Sequence, residues 1–195
     1  MIKILHRIND PEQLAKVDPL YGVEMDVHGY GERLVIHHDP LTDGPDLSEW
    51  LDACGDRFVI LNIKEEGIES RVQEMALDAG LTDFFFLDLS FPALIKMVRG
   101  GESRIAIRVS EYESVESALL LSSQIDWVWL DCFEGFPLTG EEFQRLKSGS
   151  FKICLVSPEL HGPPRTRDDI QGFQEIIGSL DIELDAVCTK FPELW

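Results

Sequence analysis

The segment GVEMDVHGYGERLVIHHDP, residues 22–40, crowds carboxylates and three histidines onto what otherwise reads as two β-strands. Glu24, Asp26 and His28 alternate with Val23, Met25 and Val27. Side chains on a strand alternate faces, so one face carries carboxylate, carboxylate and imidazole while the other is wholly aliphatic. Two carboxylates two residues apart on one face can hold a hard divalent cation, which takes oxygen ligands. Such a cation would offset the local negative charge and admit an anionic group. Arginine and lysine beside it suit phosphate oxygens, Arg7 through a bidentate fork. Histidines from different strands can serve as acid and base near neutral pH. Together these groups describe cleavage of a phosphodiester. The plainer alternative is an amphipathic strand, apolar toward the core and polar toward water.

The elements that must position these groups recur along the chain. Eight β-rich runs are predicted as strands: IKILHR (2–7), GVEMDVH (22–28), FVILNIK (58–64), FFFLDL (84–89), RIAIRVS (104–110), DWVWLDCF (126–133), FKICLVS (151–157) and DAVCTKF (185–191). A further short run, LVIHHD (34–39), follows the turn GYGE as a hairpin extension or a rim loop. Helices are predicted over 11–17, 46–54, 68–80, 92–100, 113–124, 140–149 and 167–180, with Asp46 opening the second and Gly80 and Gly100 closing the third and fourth. Strict βα alternation implies parallel strands, and eight of them imply an α/β fold, a compact TIM (β/α)8 barrel, with residues 1–195 forming a single domain. The chain stops directly after the eighth run, so the final helix is expected to be missing. The exposed strands would then be covered by a second copy of the chain, as a homodimer, or by Phe191 and Trp195 folding back.

Barrel active sites lie at the C-terminal ends of the strands. Those ends carry His6 and Arg7, then Glu24, Asp26 and His28, then Asn62 and Lys64, then Asp88 and Ser90, and later Arg108, Asp131 and Lys190. The strand starts are mostly Ile, Val and Phe, and polarity gathered at one end points to a functional site. Taken singly, His28 and His37 are expected on the rim or in solvent. Asp88 and Asp131 are expected to cap loops or pair with Arg108 and Lys190. His161 lies in the Pro/Gly-rich ELHGPPRTR, which reads as an exposed turn or a lid.

Composition excludes other classes. The chain has 195 residues with 36 acidic and 17 basic side chains, a formal net charge of −19. Such a field repels nucleic acid and anionic membrane surfaces, leaving a small molecule as the expected partner. The N-terminus MIKILHRIND lacks the apolar core of a signal peptide, and no run approaches the roughly 18 apolar residues of a membrane span. Cys54, Cys132, Cys154 and Cys188 are widely spaced, without a CxxC pair. Buried free thiols in a reducing cytoplasm are expected rather than disulfides or structural zinc.

HR at the end of the first strand, EMD on the second and VIHHDP shortly after resemble the glycerophosphodiester phosphodiesterase family of phospholipase-C-like phosphodiesterase barrels, whose pattern is HRG, then ExD, then HD after small apolar residues. LNIK resembles that family's third-strand segment ending in Lys, and CTKFP its closing T-D-x-P. The resemblance spans nearly the whole chain. It implies His6 and His38 as the acid/base pair, Glu24 and Asp26 as ligands of Mg²⁺ or Ca²⁺, and Arg7 and Lys64 as phosphate-binding residues. It also implies attack by a substrate hydroxyl on phosphorus to give a cyclic phosphate, which water then opens. Four departures stand out: Ile8 replaces the Gly after HR, Asn62 replaces the third acidic ligand, Lys190 replaces the closing Asp, and only 18 residues separate Asp39 from Phe58.

The expected function is cation-dependent hydrolysis of a small glycerophosphodiester-like or head-group-like phosphodiester, within lipid metabolism. Arg108 joins Arg7 and Lys64 as a substrate-binding candidate, and Asn62 joins Glu24 and Asp26 as a metal candidate. The alternative is a weakly active or inactive relative that binds a phosphorylated ligand. A Schiff-base lyase with Lys64 as nucleophile would leave the acids and histidines unused.

Overall fold

The computed structural model describes residues 1–162 and 165–195, so Pro163 and Pro164 of the ELHGPPRTR loop lie outside the described residues. Every predicted strand forms, all but the second shorter by two to four residues than their β-rich runs. They are β1 (Ile2–Leu5), β2 (Gly22–Tyr30), β3 (Arg33–Ile36), β4 (Val59–Ile63), β5 (Phe84–Leu87), β6 (Ala106–Val109), β7 (Trp127–Leu130), β8 (Lys152–Val156) and β9 (Ala186–Thr189). Between them lie α1 (Pro11–Leu14), α2 (Leu47–Cys54), α3 (Glu69–Asp78), α4 (Phe91–Arg99), α5 (Val115–Leu119), α6 (Gly140–Ser148) and α7 (Asp169–Ser179). The strand order is β5-β4-β2-β1-β9-β8-β7-β6, with β3 beside β2 off that path and bridged through Val35 to Asp46. β3 is antiparallel to β2, so the extra run is the hairpin extension, while the other ladders are parallel. Eight parallel strands alternating with helices make this an α/β fold of the TIM-barrel class.

Local chemistry sets the helix starts. Asp46 accepts from the Ser48 N–H to open α2, and Ser90 accepts from the Ala93 N–H to open α4. Thr139 and Glu142 form a reciprocal capping box on α6. α5 is shorter than its predicted 113–124 span, and Ser123, just beyond it, adopts a left-handed φ of 62°.

The chain packs as two compact units, Ile4–Arg104 and Met1–Lys3 with Ile105–Trp195. In the first, β2 is buried from Gly22 to His28, and Val23, Met25 and Val27 are fully inaccessible. Trp50 of α2 is also fully buried and donates its indole N–H to the Ile8 carbonyl at 2.8 Å. Each such large apolar side chain contributes about 1.5–3 kcal/mol relative to exposure. In the second unit, the Ile2 N–H bonds the Asp185 carbonyl at 2.8 Å. After β9 there is a 3-10 turn, Pro192–Leu194, and no further helix among the described residues. Trp195 folds back, donating its indole N–H to Ser157 Oγ at 2.9 Å. Ser157 in turn bonds Glu159, which accepts from Thr189 Oγ1 at 2.6 Å and the Lys190 N–H at 2.9 Å. All four cysteines are buried free thiols, and among the described residues no helix is long and apolar enough to cross a membrane.

Candidate active site

The chemistry-bearing residues of the first unit converge at the ends of β1 and β4 and midway along β2. β1 stops at Leu5, and His6 and Arg7 follow it. Arg7 adopts a left-handed φ of 56°, a conformation that costs a non-glycine residue about 1–2 kcal/mol. The turn aims the Arg7 N–H at Glu24 Oε2, 2.7 Å away. A hydrogen bond contributes about 0.5–1.5 kcal/mol net, comparable with the backbone cost. Ile8 is buried at 3% exposure and its N–H bonds the Glu24 carbonyl at 2.8 Å. The position where the resembling family has glycine is therefore a packed anchor here.

Glu24 and Asp26 are 1% and 0% exposed. Glu24 Oε1 accepts from Asn62 Nδ2 at 2.8 Å, and His6 Nε2 lies 3.8 Å from Glu24 Oε2. Asn9 clamps Asp26 from two sides: Nδ2 donates to Asp26 Oδ2 at 2.8 Å, and Oδ1 accepts the Asp26 N–H at 2.9 Å. Two cations face the same carboxylate, Arg7 Nε at 3.6 Å from Oδ2 and Lys64 Nζ at 3.3 Å from Oδ1. Lys64 Nζ also bonds Asp88 Oδ2 at 3.0 Å, and Asp88 is left-handed, with φ of 60°. Beside Lys64 lies a cavity of about 120 Å³ lined by Lys64, Glu65, Glu66, Glu69, Asp88 and Ser90 among others. Burial, and then the charge of Asp26, push Glu24 from its ordinary 4.5 up to about 7, against the opposing pulls of Asn62, the Arg7 amide and Lys64.

These residues bear on a divalent cation in two ways. Among the described residues no three His, Cys, Asp or Glu side chains gather as a metal set. Asn62 supplies what the acids lack: its Oδ1 is buried and has no hydrogen-bond partner. Two buried carboxylates and an unpartnered amide oxygen form an oxygen-only donor set of the kind Mg²⁺ and Ca²⁺ take. A cation would also relieve the repulsion that drives Glu24 toward protonation. The set fits such an ion.

His37 extends the β2–β3 ladder, its N–H bonding the Asp26 carbonyl at 3.1 Å. His38 follows, 41% exposed, with Nδ1 2.8 Å from Asp39 Oδ1. That contact holds the Asp39 carboxyl below its ordinary range and leaves His38 Nε2 for other partners. Arg108 belongs to the second unit, where its Nε lies 3.4 Å from Asp131 Oδ2.

Two expectations need correction. His28 is not at the rim: it is 1% exposed, with Nδ1 2.9 Å from the Gly29 carbonyl, because β2 runs on to Tyr30 with β3 and β4 beside it. His161 is not an exposed turn either. Its side chain is 15% exposed, and its Nε2 sits 3.0 Å from Asp131 Oδ1. Asn9 went unnoticed in the sequence, and Asp88 was expected only as a cap or as a partner of Arg108 or Lys190. An Asn two residues beyond the His-Arg pair was the available signal.

No protein-family model matches the chain, and no curated protein matches it. Solved structures do. A candidate glycerophosphoryl diester phosphodiesterase from Agrobacterium tumefaciens superposes with a TM-score of 0.70 at 14% identity, over 100% of this chain and 95% of that one. A glycerophosphodiester phosphodiesterase from Agrobacterium tumefaciens strain C58 gives 0.71 at 14% identity, over 100% of this chain and 99% of that one. At this identity the likeness shows the fold: the chain shares its barrel, end to end, with proteins bearing those names.

Proposed function

We propose that this chain hydrolyses a small phosphodiester, glycerophosphodiester-like or head-group-like, using His6 and His38 as its acid/base pair. The observation that carries the reading is the buried Glu24–Asp26 pair with an imidazole at 3.8 Å and two cationic side chains at 3.3 and 3.6 Å. That mixture suits an anionic, proton-demanding reaction better than an acidic surface does. The barrel neighbours named as glycerophosphodiester phosphodiesterases support the same class.

Glu24, Asp26 and Asn62 would hold Mg²⁺ or Ca²⁺, which when bound supplies charge neutralisation and polarises a phosphoryl oxygen. Arg7 and Lys64 bind the remaining phosphoryl oxygens. One imidazole accepts the proton of a substrate hydroxyl as that oxygen forms its bond to phosphorus. The other gives a proton to the alcohol oxygen whose bond to phosphorus breaks. Water then repeats the exchange in reverse, opening the cyclic ester and returning both histidines to their starting states. Asp39 orients His38, and Glu24 stabilises positive charge on His6.

A second reading is favoured by one contact. Asn62 turns its amide nitrogen, not its oxygen, toward Glu24. A site kept in that state would bind a phosphorylated ligand without turning it over. A panel of glycerophosphodiesters assayed with Mg²⁺, Ca²⁺ or Mn²⁺, and with chelator, separates the two. Turnover that stops with chelator and returns with cation is expected. Failure to hydrolyse any member, together with tight binding of a sugar phosphate, would overturn hydrolysis in favour of binding.

A further inference from the structure

The Lys64 ammonium bridges two carboxylates of unlike standing. The Asp26 side chain is buried and has other donors: Asn9 at 2.8 Å and Arg7 at 3.6 Å. Asp88 is 27% exposed and makes the closer contact, 3.0 Å. Asp26 Oδ1 is thus claimed by an internal cation at the place where a divalent ion would need an oxygen. An ammonium and a divalent ion repel each other steeply at such range, so the two compete for Oδ1. Asp26 can release Lys64 because its other donors remain. Asp88 sits directly beyond β5 in a left-handed conformation that a non-glycine residue adopts at a cost of about 1–3 kcal/mol. That conformation accompanies a carboxylate within reach of Lys64.

We propose that Asp88 is a positioning residue: it retains Lys64 beside the carboxylate pair when a divalent cation displaces the ammonium from Asp26, leaving the lysine charge available to a phosphate group. The idea rests on the cation reading above, and deepens it by assigning a role to a residue that is not a ligand. Without Asp88, Lys64 would fall back wholly on Asp26 and contest the cation. Without Lys64, Asp88 would matter little to cation affinity.

Calorimetric titration with Mn²⁺ or Mg²⁺ alone, on the wild type, Lys64→Met, Asp88→Asn and the double variant, tests this without any turnover. Asparagine tolerates left-handed backbone, so Asp88→Asn removes charge and leaves the turn intact. Lys64→Met is expected to tighten cation binding by about tenfold, and Asp88→Asn to weaken it several-fold. In the Lys64→Met background, Asp88→Asn should change affinity by less than about twofold. An Asp88→Asn effect of equal size in both backgrounds would mean that Asp88 acts only through its field, overturning the proposal. Unchanged affinity in Lys64→Met would overturn it too, while leaving the cation site standing. No cation binding by any of the four proteins would sink the cation reading and the proposal together.

Discussion

Glu24→Gln separates the cost of a buried charge from everything else in the site. In the folded chain, burial and the neighbouring Asp26 raise Glu24 from 4.5 to about 7. The folded carboxyl therefore holds its proton more tightly than the unfolded one does. Its stabilising contribution is complete below 4.5 and is lost as pH rises through the interval to about 7. The whole interval corresponds to about 3 kcal/mol. Glutamine keeps the shape and never ionises. Its carbonyl can take the Asn62 N–H, but its amide then meets the Arg7 N–H, a lost hydrogen bond costing about 1 kcal/mol. The variant should be less stable than the wild type at about pH 4 and more stable at about pH 8, with a crossing between. Urea unfolding of both proteins with chelator measures this, and subtracting the two curves cancels the titrations they share. The difference should swing by about 3 kcal/mol across that range. A difference that stays flat with pH would refute the account of Glu24. Adding Mn²⁺ should erase the gain at high pH, because a bound cation favours the ionised carboxylate.

Other perturbations carry equally definite outcomes. His6→Ala and His38→Ala should each slow turnover by about 10²–10⁴-fold, with unfolding midpoints little changed. Asn62→Glu should tighten cation binding in calorimetry, and should lower stability in chelator by adding a third buried acid. Gly44→Ala would drive a Cβ into the Ile36 carbonyl oxygen, next to the strand end that leads into His37 and His38. It should lower stability by about 1–3 kcal/mol and reduce turnover as that segment shifts. Trp195→Phe should lower stability by about 1 kcal/mol through the lost bond to Ser157, without affecting turnover.

The framework was legible because strands and helices differ in period. The alternation of Val23, Met25 and Val27 with Glu24, Asp26 and His28 marked β2 as carrying a polar face, and the structure buries both faces. Grouping polar residues at strand ends gathered His6, Arg7, Glu24, Asp26, Asn62 and Lys64, which the structure sets within contact of one another. Contacts made by loop residues were less legible. Asn9 lies past the end of β1, where no periodicity applies, and its grip on Asp26 spans 17 residues. The left-handed turns at Arg7 and Asp88 involve side chains that give no local hint of positive φ. His161 looked exposed because its neighbours are Gly and Pro, yet it packs against Phe133 and contacts Asp131, 30 positions earlier in the chain. α5 fell short because the apolar run continued after the backbone had turned.

The four buried cysteines turn the native chain into its own reporter of opening. A thiol reacts through its thiolate, and burial pushes Cys54 up to about 11 and Cys132 and Cys154 higher still. Alkylating reagents thus meet two barriers at once, a closed surface and a scarcity of thiolate. Modification should proceed only through transient exposure, at a rate set by the free energy of that exposure. Cys54 lies in the unit Ile4–Arg104 and the other three in its companion. Mass spectrometry of partly labelled protein would show whether one adduct accumulates before the rest, and so whether the half bearing Glu24 and Asp26 breathes on its own.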